Sequence, residues 1–305
     1  MNLLVFSLLC FIWGTTWIAI KISLVGTPPF LGAALRFGTA VICLQLYAGL
    51  RRTSLKLTRQ DLGTLYLSGI LLYAVDYGLI YWGEQYLNAG VTAVFFATFP
   101  LFTGIFSHTL FRSEPFTPLR LAGLVLAFLG MVVVFYDQLL ATRFDWRVAL
   151  AVGAVVLSAA SAAIALLLVK KYLMHLDSLK ISLHQMYVGV PVLIGVALLR
   201  GEFSRLQLSG QVIAAVLYLG VVGSALAFLM YYWLLRRMSA ITLSTTIYIT
   251  PVIALLGGWL LLDEYLGLKT VLGILLIFAG IALSQWHAYR NFWASRRGRP
   301  RVPAR

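Results

Sequence analysis

Asp76 is the residue of this chain best placed to do chemistry, because it stands inside an otherwise charge-free apolar stretch, 62–83. A charge at the centre of a bilayer costs ~2.5–3.5 kcal/mol even on lenient insertion scales, so such a group is a functional candidate by default. Desolvation favours its neutral form, which suits a side chain that takes up a proton or holds an ammonium group. At helical spacing Tyr73, Asp76, Tyr77, Ile80 and Glu84 share one face, polar and aromatic and ill suited to lipid. Either that face lines a cavity, or a hydroxyl on a neighbouring helix satisfies Asp76. Glu84, after Trp82 and Gly83, reads as a gate or proton entry point, or as an interfacial carboxylate. Arg36, a turn or two into the stretch 30–50, can snorkel to the surface, pair with a carboxylate such as Glu84, or hold a carboxylate of a bound solute.

Aromatic and hydroxyl residues supply the rest of a candidate site. Trp13 and Trp17 lie four residues apart, on one face with Cys10 and Ile20. They line a cavity, or they mark headgroup level as interfacial Trp does. Together with Tyr73, Tyr77, Tyr81, Phe95 and Phe99 they could form an aromatic box for apolar, aromatic or cationic solutes. The segment before Pro251 is rich in hydroxyls: Thr242, Ser244, Thr245, Thr246, Tyr248 and Thr250. Such hydroxyls bond helix to helix or touch a solute, and solute contact is expected chiefly at Thr245 and Tyr248. Pro100 and Pro251 sit mid-segment, where each removes a backbone donor. They act as tolerated kinks, or as hinges and polar notches beside a cavity.

Other chemistries find no support in the residue pattern. The four histidines have no metal-ligand spacing, and His184, beside Gln185, reads as a hydrogen-bonded core group. Cys10 and Cys43 fall inside apolar helices and read as small core residues. No H-E-x-x-H, G-x-S-x-G or paired mid-segment carboxylates occur, so an enzyme is not expected, nor a metal or a cofactor. No filter-like backbone run or ring of charge argues for a channel. A sensor or scaffold role stays open.

The elements that must position these residues are membrane spans. Of 305 residues, 61% are hydrophobic and 11% charged, against ~25% charged in soluble chains. A bilayer core needs ~20 mostly apolar residues per helix. Charge-free runs of that kind cover 1–20, 85–111, 148–169, 181–199, 206–235, 238–262 and 270–289. Three more spans follow if one charge is allowed: 30–50 with Arg36, 62–83 with Asp76 and 117–136 with Arg120. The fold class expected is therefore an all-α polytopic membrane protein of ten transmembrane helices. The first run lacks a basic flank and an A-x-A-like site before Lys21, so it is expected to be a retained helix. With the amino end inside, the basic residues favour the inner loops and tail by roughly three to one, which puts both termini in the cytoplasm. The net charge of +14 thus reflects topology and contact with anionic lipid, not nucleic-acid binding.

The chain also repeats itself. LNAGVTAVFFATFPLF from Leu87 resembles MSAITLSTTIYITPVI from Met238, with Ala89 on Ala240 and Pro100 on Pro251. Glu114 then matches Glu264, and Gly123 and Gly130 match Gly273 and Gly280, at a shift of 150. Gly123, Ala127 and Gly130 form a smooth lane for close helix packing. Two five-helix repeats, 1–137 and 147–288, are expected, followed by a basic disordered tail, 289–305. An odd number of helices per repeat inverts the second copy, the architecture of many secondary transporters.

FIWGTTWIAIK at 11–21, PP-x(6)-RF at 28–37, YWGEQYLNAG at 81–90, TFPLF at 98–102, Glu114 and YITPVIALLGGWLLLDE at 248–264 together resemble the EamA family of the drug/metabolite transporter superfamily. The resemblance spans residues 3–286. It implies a ten-helix inverted-repeat fold in the cell inner membrane and export of small metabolites, commonly amino acids or related compounds, often with proton coupling. Multidrug or organic-cation export is the alternative. The partners implied are a small-molecule substrate, protons and membrane lipid, around a monomer or homodimer. The small multidrug relatives carry a Glu in their first helix. None stands there in this chain, so their coupling mechanism does not transfer.

Overall fold

The computed structural model describes residues 1–262 and 267–286. Among these residues the secondary structure is helical throughout. Seven helices are long and apolar enough to cross a membrane: α1 (Asn2–Leu24), α2 (Pro29–Leu50), α3 (Arg59–Gly83), α4 (Ala89–Thr109), α6 (Trp146–Tyr172), α7 (Ser178–Leu199) and α8 (Gly210–Leu235). Three shorter apolar helices complete the series: α5 (Pro118–Val134), α9 (Ala240–Leu256, continuing to Leu262) and α10 (Leu268–Ser284). The chain is thus a polytopic α-helical membrane protein. Of the 117–136 stretch, the regular helix α5 takes Pro118–Val134, and a short separate helix, Tyr136–Ala141, follows it. Glu264 and the basic tail lie outside the described residues.

Helices α3 and α8 are not regular. Each passes through a wide π-helical stretch, Ile70–Asp76 in α3 and Val221–Leu226 in α8. A π turn carries an extra residue and interrupts the ordinary backbone ladder, and it is frequent at functional sites. Hydrocarbon offers no water to a freed carbonyl, so side chains take that role. The Ser161 hydroxyl on α6 donates to Leu71 O at 2.7 Å. The Trp13 indole on α1 donates to Gly223 O at 3.3 Å.

Helices α4 and α9 are each broken near a proline. The pieces of α4 are Ala89–Phe96 and Phe99–Thr109, with Pro100 in the first turn of the second. Those of α9 are Ala240–Ser244 and Thr246–Leu262, with Pro251 inside the second. Pro251 has no N–H for the Ile247 carbonyl, and the Thr250 hydroxyl donates there instead at 3.3 Å. Both helices open with a side-chain cap: Asn88 accepts from Val91 N, and Ser239 accepts from Thr242 N.

The glycine lane is a packing surface. Helices α5 and α10 meet backbone to backbone along it. A Cβ added at Gly123 would stand 2.3 Å from Ser284 N, and one at Gly280 2.4 Å from Ala127 N. Gly130 and Gly273 face each other in the same way. Backbone atoms cannot yield as a flexible side chain can, so these positions admit no larger residue. Gly123→Val is expected to lower the melting temperature in detergent, overpacking costing about 1–3 kcal/mol. Gly153→Ala, which meets nothing within 4 Å, is expected to be neutral; equal melting curves for the two variants would contradict this packing.

Candidate functional site

The irregular segments surround a cavity of about 70 Å³. Trp13, Thr16 and Trp17 reach it from α1, Arg36 from α2, and Leu72, Asp76, Tyr77 and Ile80 from α3. Phe96 and Phe99 come from α4, Ala162 and Leu166 from α6, Phe228, Tyr231 and Tyr232 from α8, and Ile247 and Thr250 from α9. Its volume is far below the ~300–1,000 Å³ of sites for drug-sized ligands.

A carboxyl and a guanidinium share this small space. Arg36 is only 1% exposed and Asp76 2%. The Arg36 Nε donates to Ser224 Oγ at 2.8 Å and Nη2 donates to Gly223 O at 3.1 Å, so the π stretch of α8 aims the guanidinium. The guanidinium also lies over the rings of Phe37 (5.1 Å) and Tyr77 (4.8 Å). Its Nη1 is buried without a protein partner, and so is Asp76 Oδ1. The nearby Ser158 hydroxyl donates to Val155 O of its own helix. A buried polar atom without a partner is costly, so a solute acceptor can satisfy Arg36 and a solute donor Asp76.

The aromatic walls are interlocked. Trp13 packs on Tyr231 at 5.1 Å and on Phe228 at 5.8 Å between ring centroids. Trp17 meets Phe96 edge-on at 6.0 Å, and Phe96 stacks on Phe99 at 5.7 Å. Tyr73 is fully buried behind this wall, against Phe37 and Phe228 at 4.8 and 5.0 Å.

Of the residues singled out from sequence, Trp13, Trp17, Arg36, Asp76, Tyr77 and Phe99 come together at the cavity. Tyr73 and Tyr81 are fully buried outside its lining, each with an unpartnered hydroxyl. Phe95 packs against the core from a half-buried position. Thr245 donates to Thr242 O in its own helix at 2.7 Å. Tyr248 donates to Leu124 O at 3.1 Å and so ties α9 to α5. Pro100 is buried just past the break in α4, and Pro251 is buried inside the second piece of α9, well beyond its break. Glu84 is buried, with both carboxylate oxygens unpartnered, and its own backbone carbonyl accepts from Lys21 Nζ. His184 hydrogen-bonds Lys180 O at 2.9 Å, and Cys10 and Cys43 are free thiols, one buried and one half-buried.

Sequence reading missed the whole contribution of α8. Phe228, Tyr231 and Tyr232 are spaced i, i+3, i+4 on one face, a signal available in AFLMYYWLL. It also missed Ser224 and Gly223, which only the π stretch brings to Arg36. Gln185 holds a second buried network: its Nε2 donates to Ser68 Oγ at 2.7 Å, and Tyr232 Oη donates to its Oε1 at 2.5 Å. Among the described residues no three His, Cys, Asp or Glu side chains gather as a metal site.

Comparison with known proteins gives a consistent result. The model of the EamA-like transporter family matches residues 1–136 and again 149–286. Uncharacterized transporter YoaV of Bacillus subtilis is 26% identical over 273 residues, covering 90% of this chain and 92% of that protein. Uncharacterized inner membrane transporter YedA of Escherichia coli K12 is 29% identical over 248 residues, 81% of this chain and 78% of its own length. One crystal structure, 19% identical, superposes with a TM-score of 0.78 over 95% of this chain and 98% of its own, and has the same fold.

The placements of Trp13 and Tyr248 lead to opposite expectations. Trp13→Ala should weaken solute binding at least tenfold. Tyr248→Phe should leave affinity within twofold and lower thermal stability by the about 0.5–1.5 kcal/mol of one hydrogen bond. Affinity loss in Tyr248→Phe without loss of stability would contradict its placement as a helix tie.

Proposed function

The chain belongs to the EamA-like transporter family and is an integral membrane transporter, and from that premise we propose that it exports small zwitterionic metabolites, amino acids or close relatives, across the inner membrane by alternating access. The observation that carries this reading is the pair Arg36 and Asp76. Both are buried in one aromatic cavity, and each has a polar atom that no protein group meets. A zwitterion answers both needs in one molecule. Its carboxylate accepts from Arg36 Nη1, a strong charge-assisted bond, and its ammonium donates to Asp76 Oδ1. A solute with one charge leaves the other site buried and unmet, which is costly. The rings of Trp13, Phe228 and Tyr231 then receive the solute's remaining atoms.

Coupling follows from the same carboxylate. Without an ammonium beside it, the Asp76 carboxylate can bind a proton instead. Ammonium and proton then exchange on one carboxylate, so outward solute and inward proton alternate. Glu84, buried outside the cavity lining, is the second acid available to such a route.

The internal recurrences support an inverted-repeat mechanism. The two family matches, the two π stretches, the two proline breaks and the capped starts of α4 and α9 recur about 150 residues apart. Two copies inverted about an in-plane axis can exchange conformations, which opens the site to each side in turn. The basic-residue distribution supports cytoplasmic termini for both ends.

The aromatic lining favours a second reading, export of organic cations, which Arg36 in the same cavity opposes. Flux of radiolabelled amino acids and of a quaternary ammonium dye in proteoliposomes separates the two. Amino-acid flux is expected, reduced at least tenfold by Arg36→Gln and by Asp76→Asn, with the residual Asp76→Asn flux independent of pH between about 6 and 8. Undiminished, pH-dependent flux in Asp76→Asn would remove Asp76 from the mechanism. Dye flux untouched by Arg36→Gln would favour the cation reading.

A further inference from the structure

We propose that Lys21 and Lys170 are paired latches, each holding one end of the cavity shut, so that release of one and retention of the other opens the site to a single side. The inference rests on the alternating-access reading above and assigns its gates.

The same bond is built twice. Lys21, in the last turn of α1, donates from Nζ to Glu84 O and to Leu87 O at 2.5 Å. Lys170, in the last turn of α6, donates from Nζ to Leu235 O at 2.6 Å and Met238 O at 2.9 Å. The lysines are 149 residues apart and both carbonyl pairs 151. One acceptor of each pair, Glu84 O or Leu235 O, stands at the carboxyl end of α3 or α8, where carbonyls lack partners within the helix and the helix dipole favours a cation; the other, Leu87 O or Met238 O, belongs to the turn that follows.

The two bonds are at opposite ends of the molecule. Gly83, at the end of α3, meets Val155 and the Ala151 carbonyl near the start of α6. Lys170 stands 19 residues further along α6, about 28 Å away at 1.5 Å per residue.

Each bond joins helices that line the cavity. Lys21 ties α1, which carries Trp13 and Trp17, to the joint between α3 and α4, which carry Asp76 and Phe99. Lys170 ties α6, which carries Ala162 and Leu166, to the joint between α8 and α9. Both bonds are made in the described conformation, whose cavity is small, about 70 Å³. A carboxylate lies ready beside each lysine. Glu84 has two unpartnered buried oxygens. Glu114 accepts from Ala240 N at 2.7 Å through Oε1 and keeps Oε2 free. A released ammonium therefore has a second acceptor close by, so a latch can change partner without stranding its charge.

The test is one-sided labelling of a cavity cysteine. Thr16→Cys is placed in a chain with Cys10 and Cys43 changed to Ala. An impermeant maleimide is then added to right-side-out or to inverted membrane vesicles. Lys21→Met is expected to speed labelling at least fivefold from the outer face only, and Lys170→Met from the inner face only. Melting curves identify any variant that simply loosens, and such loosening speeds labelling from both faces. Rates unchanged in both variants, raised equally from both faces, or raised from the reverse faces would overturn the proposal. No substrate enters this assay, so the latches and the zwitterion reading fail separately.

Discussion

A backbone carbonyl inside a bilayer has no water to bond, so any break in a helix there must be answered by another part of the protein. The irregular helices of this chain follow from that constraint. The π stretch of α3 finds Ser161, that of α8 finds Trp13 and Arg36, and the carbonyl opposite Pro251 finds Thr250. Those partners lie on α6, α1, α2 and α9, so the irregular turns face the interior. Three of the four, Trp13, Arg36 and Thr250, line the cavity. The breaks and the site are one feature: helices that leave regular geometry gain a place for polar groups away from lipid.

Arg36 shows how the pieces depend on one another. Its charge could not stay at 1% exposure without donors matched to acceptors. Ser224 and Gly223 supply two acceptors, and the rings of Phe37 and Tyr77 cover its face. The remaining nitrogen, Nη1, is buried without a protein partner at a cavity that Asp76 also lines. At the far side of the fold, α5 and α10 contribute no residue to this lining. Their glycines bring two backbones into contact, and the lining comes from α1, α2, α3, α4, α6, α8 and α9.

The sequence makes much of this legible, for reasons particular to each element. Lipid demands long apolar runs, so the helices announce themselves. A lone carboxylate in such a run is conspicuous, which is why Asp76 stands out, and Trp13 and Trp17 follow from their spacing. Charge is a weaker guide where none is present: α8 contributes Phe228, Tyr231 and Tyr232 to the cavity from a run that holds no Asp, Glu, Lys, Arg or His. The π stretches leave no compositional mark, because one extra residue in a turn changes geometry and not residue type. Around Thr245 and Tyr248, hydroxyls occupy nearly every face of α9. Spacing cannot choose among those faces, and packing against α5 turned Tyr248 away from the cavity.

The central proposal is that Arg36 and Asp76 act together on one solute. Trp13 and Trp17 line the cavity and report binding through their fluorescence. The direct measurement is titration of the purified protein with an amino acid, its methyl ester and its N-acetyl derivative. The account predicts saturable quenching by the free amino acid and at least tenfold weaker binding of both blocked forms. Equal affinity for all three would contradict it.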